Sequence, residues 1–420
     1  MTTAEPVEHV LRALTPRVLG ILVRRHGDFA RCEDAVQEAL IDAAAAWSRD
    51  GVPEHPLGWL TKVAARRYVD LVRSDAARER REQALFDAVP RDELLAPPPD
   101  AEPARDDLLE LLFLCCHPAL TPPAQMALTL RAVAGLTTTE IAAAFLVPDK
   151  TMGQRISRAK QRLLQAGARF ELPSLPAERD KALTVVLHVL YLLFNEGYSA
   201  SAGPLLRRPD LTGQAIRLAR ELHQRLPDSG ETAGLLALML LTEARGAART
   251  GADGILVPLA EQDRSLWDRT LIVEGTELVT RSLATHPVGP YQVQAAIAAV
   301  HSEAATAQDT DWPQVLALYD VLERLAPSPV TALNRAVALG EVRGPRAALD
   351  VVAELERGEL AGHHRLHAVR AHLLEQAGDA EAAGEAFRRA ARLAGNLAEQ
   401  RFLLLRAARC TSAKTSSATT

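Results

Sequence analysis

Residues Thr137–Leu163 read TTTEIAAAFLVPDKTMGQRISRAKQRL, and the spacing in this stretch predicts two helices joined by a short turn. Thr137 followed three residues later by Glu140 is a capping box, which opens the first helix. Ile141, Ala142 and Phe145 form its apolar face. Leu146-Val147-Pro148 breaks it, and Asp149 is placed to cap the second. In that second helix Met152, Ile156, Ala159 and Leu163 recur at helical spacing as one buried stripe. Lys150, Thr151, Gln154, Arg155, Arg158 and Arg162 lie off the stripe. Between Phe145 and Phe170 six basic residues (Lys150, Arg155, Arg158, Lys160, Arg162 and Arg169) oppose only Asp149, a net +5. Two helices joined by a tight turn, the second basic, describe a helix-turn-helix. Arginine can grip guanine with a bidentate fork, glutamine can pair with adenine, and lysine and threonine can hold phosphates. The alternative reading of the same residues is a solvated basic face on an ordinary helix.

The rest of the chain sets the frame for this stretch. It has 420 residues, a net charge of −5, 48% hydrophobic and 4% aromatic residues. That length predicts two or three domains, and the scarcity of aromatics beside abundant Ala, Leu and Arg favours helix over sheet. An acidic molecule that binds nucleic acid must do so through local basic patches. The four cysteines, Cys32, Cys115, Cys116 and Cys410, form no Cys-x-x-Cys pair, which argues against a disulfide scaffold or a zinc ribbon. Cys115 and Cys116 sit in an apolar run and read as buried small hydrophobes. The opening residues lack the pattern of a signal peptide. Ala182–Phe194, the longest apolar stretch, is shorter than the roughly 18 residues that span a bilayer. A cytoplasmic protein with no membrane partner is the expectation.

Upstream, Asp34, Gln37, Glu38 and Asp42 form an acidic helix face opposite Ala35, Val36, Ala39, Leu40 and Ala43. A loop, Ser48–Pro56, precedes a helix with Trp59, Leu60, Val63, Ala64, Arg67 and Leu71 along one side. From Lys62 to Arg81 seven basic residues meet three acids. Such helices suit a basic protein surface and a phosphate backbone respectively. They are equally open to a simpler reading, charge pairing between neighbouring helices. An acidic, Pro-rich linker spans 86–106 and a second break spans Glu171–Pro176.

In the last third, inter-helix turns are expected at Asp311-Trp312, Gly344-Pro345 and Gly378-Asp379. Their spacings of 33 and 34 residues are those of tetratricopeptide-type helix pairs. The unit around the last turn fits best: Ala371 and Leu374 before it, Ala383, Phe387 and Ala390 after it. Gly197 reads as a helix C-cap, His363, His364 and His367 as solvated surface, and Thr411–Thr420 as a disordered tail.

Taken together these pieces resemble an extracytoplasmic-function (ECF) sigma factor of bacterial RNA polymerase. The first domain resembles sigma region 2, through EDAVQEALIDAAAAW (Glu33–Trp47) and HPLGWLTKVAARRYVDLVRS (His55–Ser74). Leu120–Leu163 resembles region 4. HVLYLLFNEGYSAS (His188–Ser201), LAEQDRSLWDRTLI (Leu259–Ile272), GPYQVQAAIAAVH (Gly289–His301) and the stretch Thr310–Leu339 resemble a subgroup with a tetratricopeptide-like C-terminal extension.

The resemblance implies an all-α fold. Its parts are region 2 (1–85), a linker (86–106), a region 4 helix-turn-helix (107–170), a helical-repeat extension (177–410) and a tail (411–420). It implies that Asp34, Gln37, Glu38 and Asp42 contact the β′ clamp of core polymerase. Trp59, Lys62, Arg66, Arg67 and Arg73 would serve the −10 element, and the Ser48–Pro56 loop would receive an unstacked base. Lys150, Thr151, Gln154, Arg155 and Arg158 would face the −35 element. Leu108–Cys116 would meet the β flap or simply supply core. The extension would regulate the sigma module from within the chain or dock a regulatory protein. No phosphate loop, nucleophile elbow or metal cluster is legible, so neither catalysis nor a cofactor is expected. The other functional reading is a free-standing helix-turn-helix regulator with a helical sensor domain.

Overall fold

The computed structural model describes residues 4–82, 107–145, 147–168, 176–200, 203–251 and 254–417. Among them the fold is all-α, with only two isolated β-bridges. The chain forms two compact units, 1–190 and 191–420.

The first unit opens with α1 (Ala4–His26), α2 (Phe29–Asp50) and α3 (Pro56–Glu82), which pack on one another. Asp28 caps α2 by accepting from Arg31 N at 3.1 Å. Gly51, at φ +85°, ends it and donates to Trp47 O. The interior here is Val18, Leu19, Ala35, Val36, Ala39, Leu60 and Ala64, each at most 1% exposed. Four shorter helices follow: α4 (Asp107–Cys115), α5 (Pro122–Ala132), α6 (Thr138–Ala144) and α7 (Asp149–Gln165). α4 and α5 also lie against α1, and α7 touches α2. Gly135 permits that approach: at φ +71°, a Cβ there would come within 3.2 Å of the Arg12 backbone, a position that disfavours any side chain. The linker 86–106 and residues 171–175 of the second break fall outside the described residues. α8 (Pro176–Tyr198) begins at the end of that break, and the division between the units falls within it.

The second unit continues with α9 (Pro209–Arg225) and α10 (Gly230–Glu243). A stretch of short 3-10 turns leads to α11 (Arg269–Thr285) and α12 (Pro290–Glu303). Then come α13 (Trp312–Leu325), α14 (Pro329–Arg343), α15 (Pro345–Leu355), α16 (His364–Gln376), α17 (Ala380–Leu393) and α18 (Leu397–Ser417). Each packs on the next. Ser229, Asp268, Asp311, Ser328 and Asp379 cap their helices through side-chain acceptors, which fixes where each begins. The three expected turns separate α12 from α13, α14 from α15 and α16 from α17, and the helices they open start 33 and 35 residues apart. Ala371 and Ala383 are fully buried in one cluster with Phe387 and Ala390.

The array returns to its own beginning. Asn396, 1% exposed, donates through Nδ2 to the carbonyls of Ala200 and Leu205, and Leu397 N donates to Gly203 O.

Three expectations are corrected in this unit. Gly197 lies within α8 and is no C-cap; a Cβ there would meet Thr212 N at 2.6 Å, so the glycine lets α9 approach. His367 is 1% exposed, with Nε2 3.0 Å from Ala361 O, because it faces the packed side of α16. α18 runs to Ser417, since no Gly or Pro stops the helix seeded by buried Leu403, Ala407 and Cys410.

Candidate nucleic-acid and protein interfaces

The capping box forms as read. Glu140 N donates to Thr137 Oγ1 at 3.2 Å, and Thr137 N donates to Glu140 Oε2 at 2.7 Å. The other Glu140 oxygen receives Arg12 of α1. In α7 the buried residues are Met152, Ile156, Ala159 and Leu163, so the apolar stripe fixes which face turns outward. Lys150, Thr151, Gln154 and Arg158 are exposed on that face. Arg155 is half-buried, its guanidinium 5.9 Å from the Phe145 ring centroid, which holds the fork at the end of the preceding helix.

One detail differs. Pro148 is the N-cap residue and Asp149 the first helical one, because the Asp149 carboxylate accepts from Thr139 Oγ1 at 2.7 Å instead of capping α7. Leu146, in the turn, lies outside the described residues.

Lys160 does not share the outward face. Its ammonium sits 2.8 Å from Glu33 Oε2 and 2.5 Å from Asp34 Oδ1, both on α2. Arg131 of α5 completes the set, with Nε donating to Glu33 Oε1 at 2.8 Å. Glu33 is 1% exposed. Burial pushes its carboxyl up, but Lys160 and Arg131 outweigh that and hold it below the ordinary value. Burial likewise presses the Lys160 ammonium down, and Glu33 and Asp34 more than reverse this, leaving it raised. The sequence reading missed Glu33 because it lies one residue before the acidic face and reads as part of it.

On the outer face of α2, Asp34, Gln37, Glu38 and Asp42 share one side as expected. Arg67 of α3 grips Asp42 through two nitrogens, with Nε–Oδ2 at 2.9 Å and Nη2–Oδ2 at 2.6 Å, and lies 3.7 Å from Glu38. Thus Arg67 is committed to α2, whereas Lys62, Arg66 and Arg73 are exposed. The pairing reading holds for Arg67, Glu38 and Asp42; it does not reach the three exposed cations. A second residue escaped the sequence reading: Ile41, 70% exposed, lies among these acids. Its helical spacing from Gln37 and Glu38 was the available signal for its place on this face.

The loop between α2 and α3 is shorter than expected. Ser48, Arg49 and Asp50 are helical, so the connection is 51–55, because the left-handed Gly51 is where the chain turns. Trp59 stands at the start of α3, half-buried, its ring edge-on to Trp47 at 5.5 Å. Arg78, Arg80 and Arg81 lie beyond the described side chains. In α4, Leu111, Leu112, Phe113, Leu114 and Cys115 are buried; these residues are core. Cys116 is buried too, its Sγ 3.8 Å from Thr129 Oγ1, and burial pushes its thiol up to about 12.

These interfaces coincide with what the chain is similar to. Residues 10–78 match sigma-70 region 2 and residues 110–163 match sigma-70 region 4. The chain belongs to the sigma-70 family. As such it binds core RNA polymerase and promoter DNA and directs transcription. Residues 182–283 match a family of unknown function (DUF6596). An uncharacterized protein of Rhizobium meliloti (strain 1021) is 43% identical over 406 residues, covering 96% of this chain and 95% of its own. Both sigma regions and the helical C-terminal region thus fall inside one alignable chain. No solved structure matches. Among the described residues no helix is long and apolar enough to cross a membrane.

Proposed function

We propose that this sigma factor is of the ECF type and that its C-terminal helices, of tetratricopeptide kind, control the sigma module from within the same chain. The observation that carries the reading is the pairing of two surfaces in one compact unit. An acidic, Ile41-bearing face on α2 stands beside the exposed cations of α3, and the α6–α7 pair presents Lys150, Thr151, Gln154 and Arg158. A regulator that works without polymerase has no use for the first of these. In this reading Asp34, Gln37, Glu38, Asp42 and Ile41 meet the β′ clamp. Lys62, Arg66 and Arg73 follow the −10 backbone with Trp59 at its edge, while Arg67 positions α3 against α2. The outward residues of α7, with Arg155, read the −35 element.

The experiment is run-off transcription with core polymerase from the chain's own upstream DNA, full length against residues 1–170. Specific transcripts are expected from the full chain, and a different yield from the truncated one. Equal yields would remove the regulatory role of the C-terminal region. Sequence-specific DNA binding without any polymerase-dependent transcript would instead favour the free-standing regulator.

The two cation classes are separable in the same assay. Arg155→Ala will cost about 1–3 kcal/mol at one −35 base pair and relax preference there. Lys62→Ala will weaken all promoters alike and lower the salt dependence of binding. A uniform loss for both variants would sink the Arg155 assignment.

A further inference from the structure

Three of the stretches that stood out in the C-terminal sequence, Leu259–Ile272, Gly289–His301 and Thr310–Leu339, converge on one cavity in the second unit. It measures about 530 Å³, within the range of small-molecule sites. Helices α12, α13, α14, α16, α17 and α18 and the 3-10 turn Leu259–Glu261 surround it. Its walls are chiefly apolar and aromatic, with Trp312, Tyr319, Phe387 and Phe402 contributing rings.

The charges around it are unevenly satisfied. On one side Arg406 pairs with Glu375 and, at 3.5 Å, with Glu261, and its guanidinium covers the Phe387 and Phe402 rings. That side leaves no cation uncompensated, and Glu341, which also lines the cavity, accepts from Gln376 Nε2 at 2.9 Å. The other side carries Arg264 and His301; Arg245 is not among the lining residues, but its charge bears on both. Arg264 donates to two backbone carbonyls, His301 O and Ala304 O, and stacks on Trp267. It has no carboxylate in ion-pair contact among the described residues. Asp309, whose charge bears on it, spends Oδ2 on the Thr306 N–H and hydroxyl.

The Arg245 guanidinium makes no hydrogen bond or ion pair to a described residue, and its Nε is buried without a partner. Its charge bears on Arg264, His301 and Tyr319. Burial, helped by Arg245 and Arg264, pushes His301 down to about 4, so its imidazole stays neutral and adds no third positive charge. Tyr319 lines the cavity, and its hydroxyl makes no hydrogen bond to a described residue. A half-buried cation with an orphaned donor is costly unless something pairs with it.

We propose that this cavity binds a small organic acid, with a flat apolar body between the aromatic walls and one anionic group at the Arg245–Arg264–His301 side. The bound acid would accept from Arg264 and from the Tyr319 hydroxyl, and its charge would offset Arg245. The C-terminal unit would then be the part of this sigma factor that reads a metabolite. The site stands on the second unit alone and does not depend on how promoters are read.

The test uses the full chain and two fluorescent probes with the same ring system. One is 8-anilinonaphthalene-1-sulfonate, which carries an acidic group; the other is its uncharged counterpart, N-phenyl-1-naphthylamine. Saturable one-to-one binding of the sulfonate is expected, with the neutral probe about tenfold weaker or more, the worth of a charge-assisted hydrogen bond. Arg245→Leu removes a guanidinium with no partner to strand and should weaken the sulfonate several-fold while leaving the neutral probe unchanged, the remaining preference resting on Arg264. Asn334→Trp, at an exposed cavity-lining position on α14, should block both probes while leaving the circular dichroism spectrum unchanged. Sulfonate binding unaltered in both variants, equal affinity for the two probes, or no saturable binding at all would each overturn the proposal.

Discussion

Glu33→Ala will destabilise the first unit by about 3–5 kcal/mol, because it leaves two cations, Arg131 and Lys160, beside an emptied buried site. Lys160 keeps only the more exposed Asp34, and Arg131 keeps a long contact to the Leu136 carbonyl. Glu33→Gln, which keeps the shape and one acceptor, should fall between. Urea unfolding of the full chain, followed through the first unit, measures the loss. A cost below about 1 kcal/mol would mean that solvent already screens the network as it does an exposed pair.

The same triad gives a pH dependence whose sign is set by its shifts. Glu33 is lowered in the folded chain, so its contribution is complete above the ordinary value of 4.5 and is lost as pH falls through the lower folded value. Lys160 is raised, so its contribution is complete below 10.5 and is lost as pH rises through the higher folded value. Contact between α2 and the α5–α7 set should therefore hold on a broad plateau and fail at both ends.

What the sequence disclosed, and what it withheld, divides by the range of the interaction. The capping box at Thr137–Glu140, the stripe Met152–Leu163 and the turns at Asp311, Gly344 and Gly378 are local patterns, and each appears where the spacing puts it. The partners of Glu33 lie 98 and 127 residues away in the chain. No periodicity announces a contact of that kind, and Glu33 on its own resembles any exposed helix glutamate. Arg67 shows the same limit from the other side. Its place among basic neighbours suggested a phosphate contact, but Asp42 stands 25 residues earlier on the packed helix. Gly197 was read by its local habit at helix ends, whereas the close backbone of Thr212 decides it. No repeat turn was read upstream of Asp311, and this also has a physical cause. Between α10 and α11 the chain leaves the helical period for three 3-10 turns, Gly246–Arg249, Leu259–Glu261 and Arg264–Leu266, and those turns supply Glu261 and Arg264 to the cavity. The interruption that hid the period thus supplies two of the charged groups around the candidate ligand site.

Asn396→Ala will cost about 3–5 kcal/mol in the second unit and will open the cavity with it. The side chain makes four hydrogen bonds from a position 1% exposed. Nδ2 donates to Ala200 O at 3.2 Å and Leu205 O at 2.8 Å, while Oδ1 accepts from Ala398 N at 2.9 Å and Glu399 N at 3.2 Å. The second pair is a helix cap, worth about 0.5–2 kcal/mol. The first pair, when lost, strands two carbonyls at about 1–3 kcal/mol where they remain buried. Asn396→Ser separates the terms, since serine can still cap α18 but is too short to reach residues 200 and 205. Because α18 carries Phe402, Leu403 and Arg406 to the cavity wall, losing its anchor should weaken sulfonate binding in step with stability, Ala more than Ser. If Asn396→Ala unfolds the unit at the unaltered denaturant midpoint, the buried face of α18 (Leu403, Ala407 and Cys410 against Phe387) holds the closure by itself. Hydrophobic packing would then be the term that shapes the cavity.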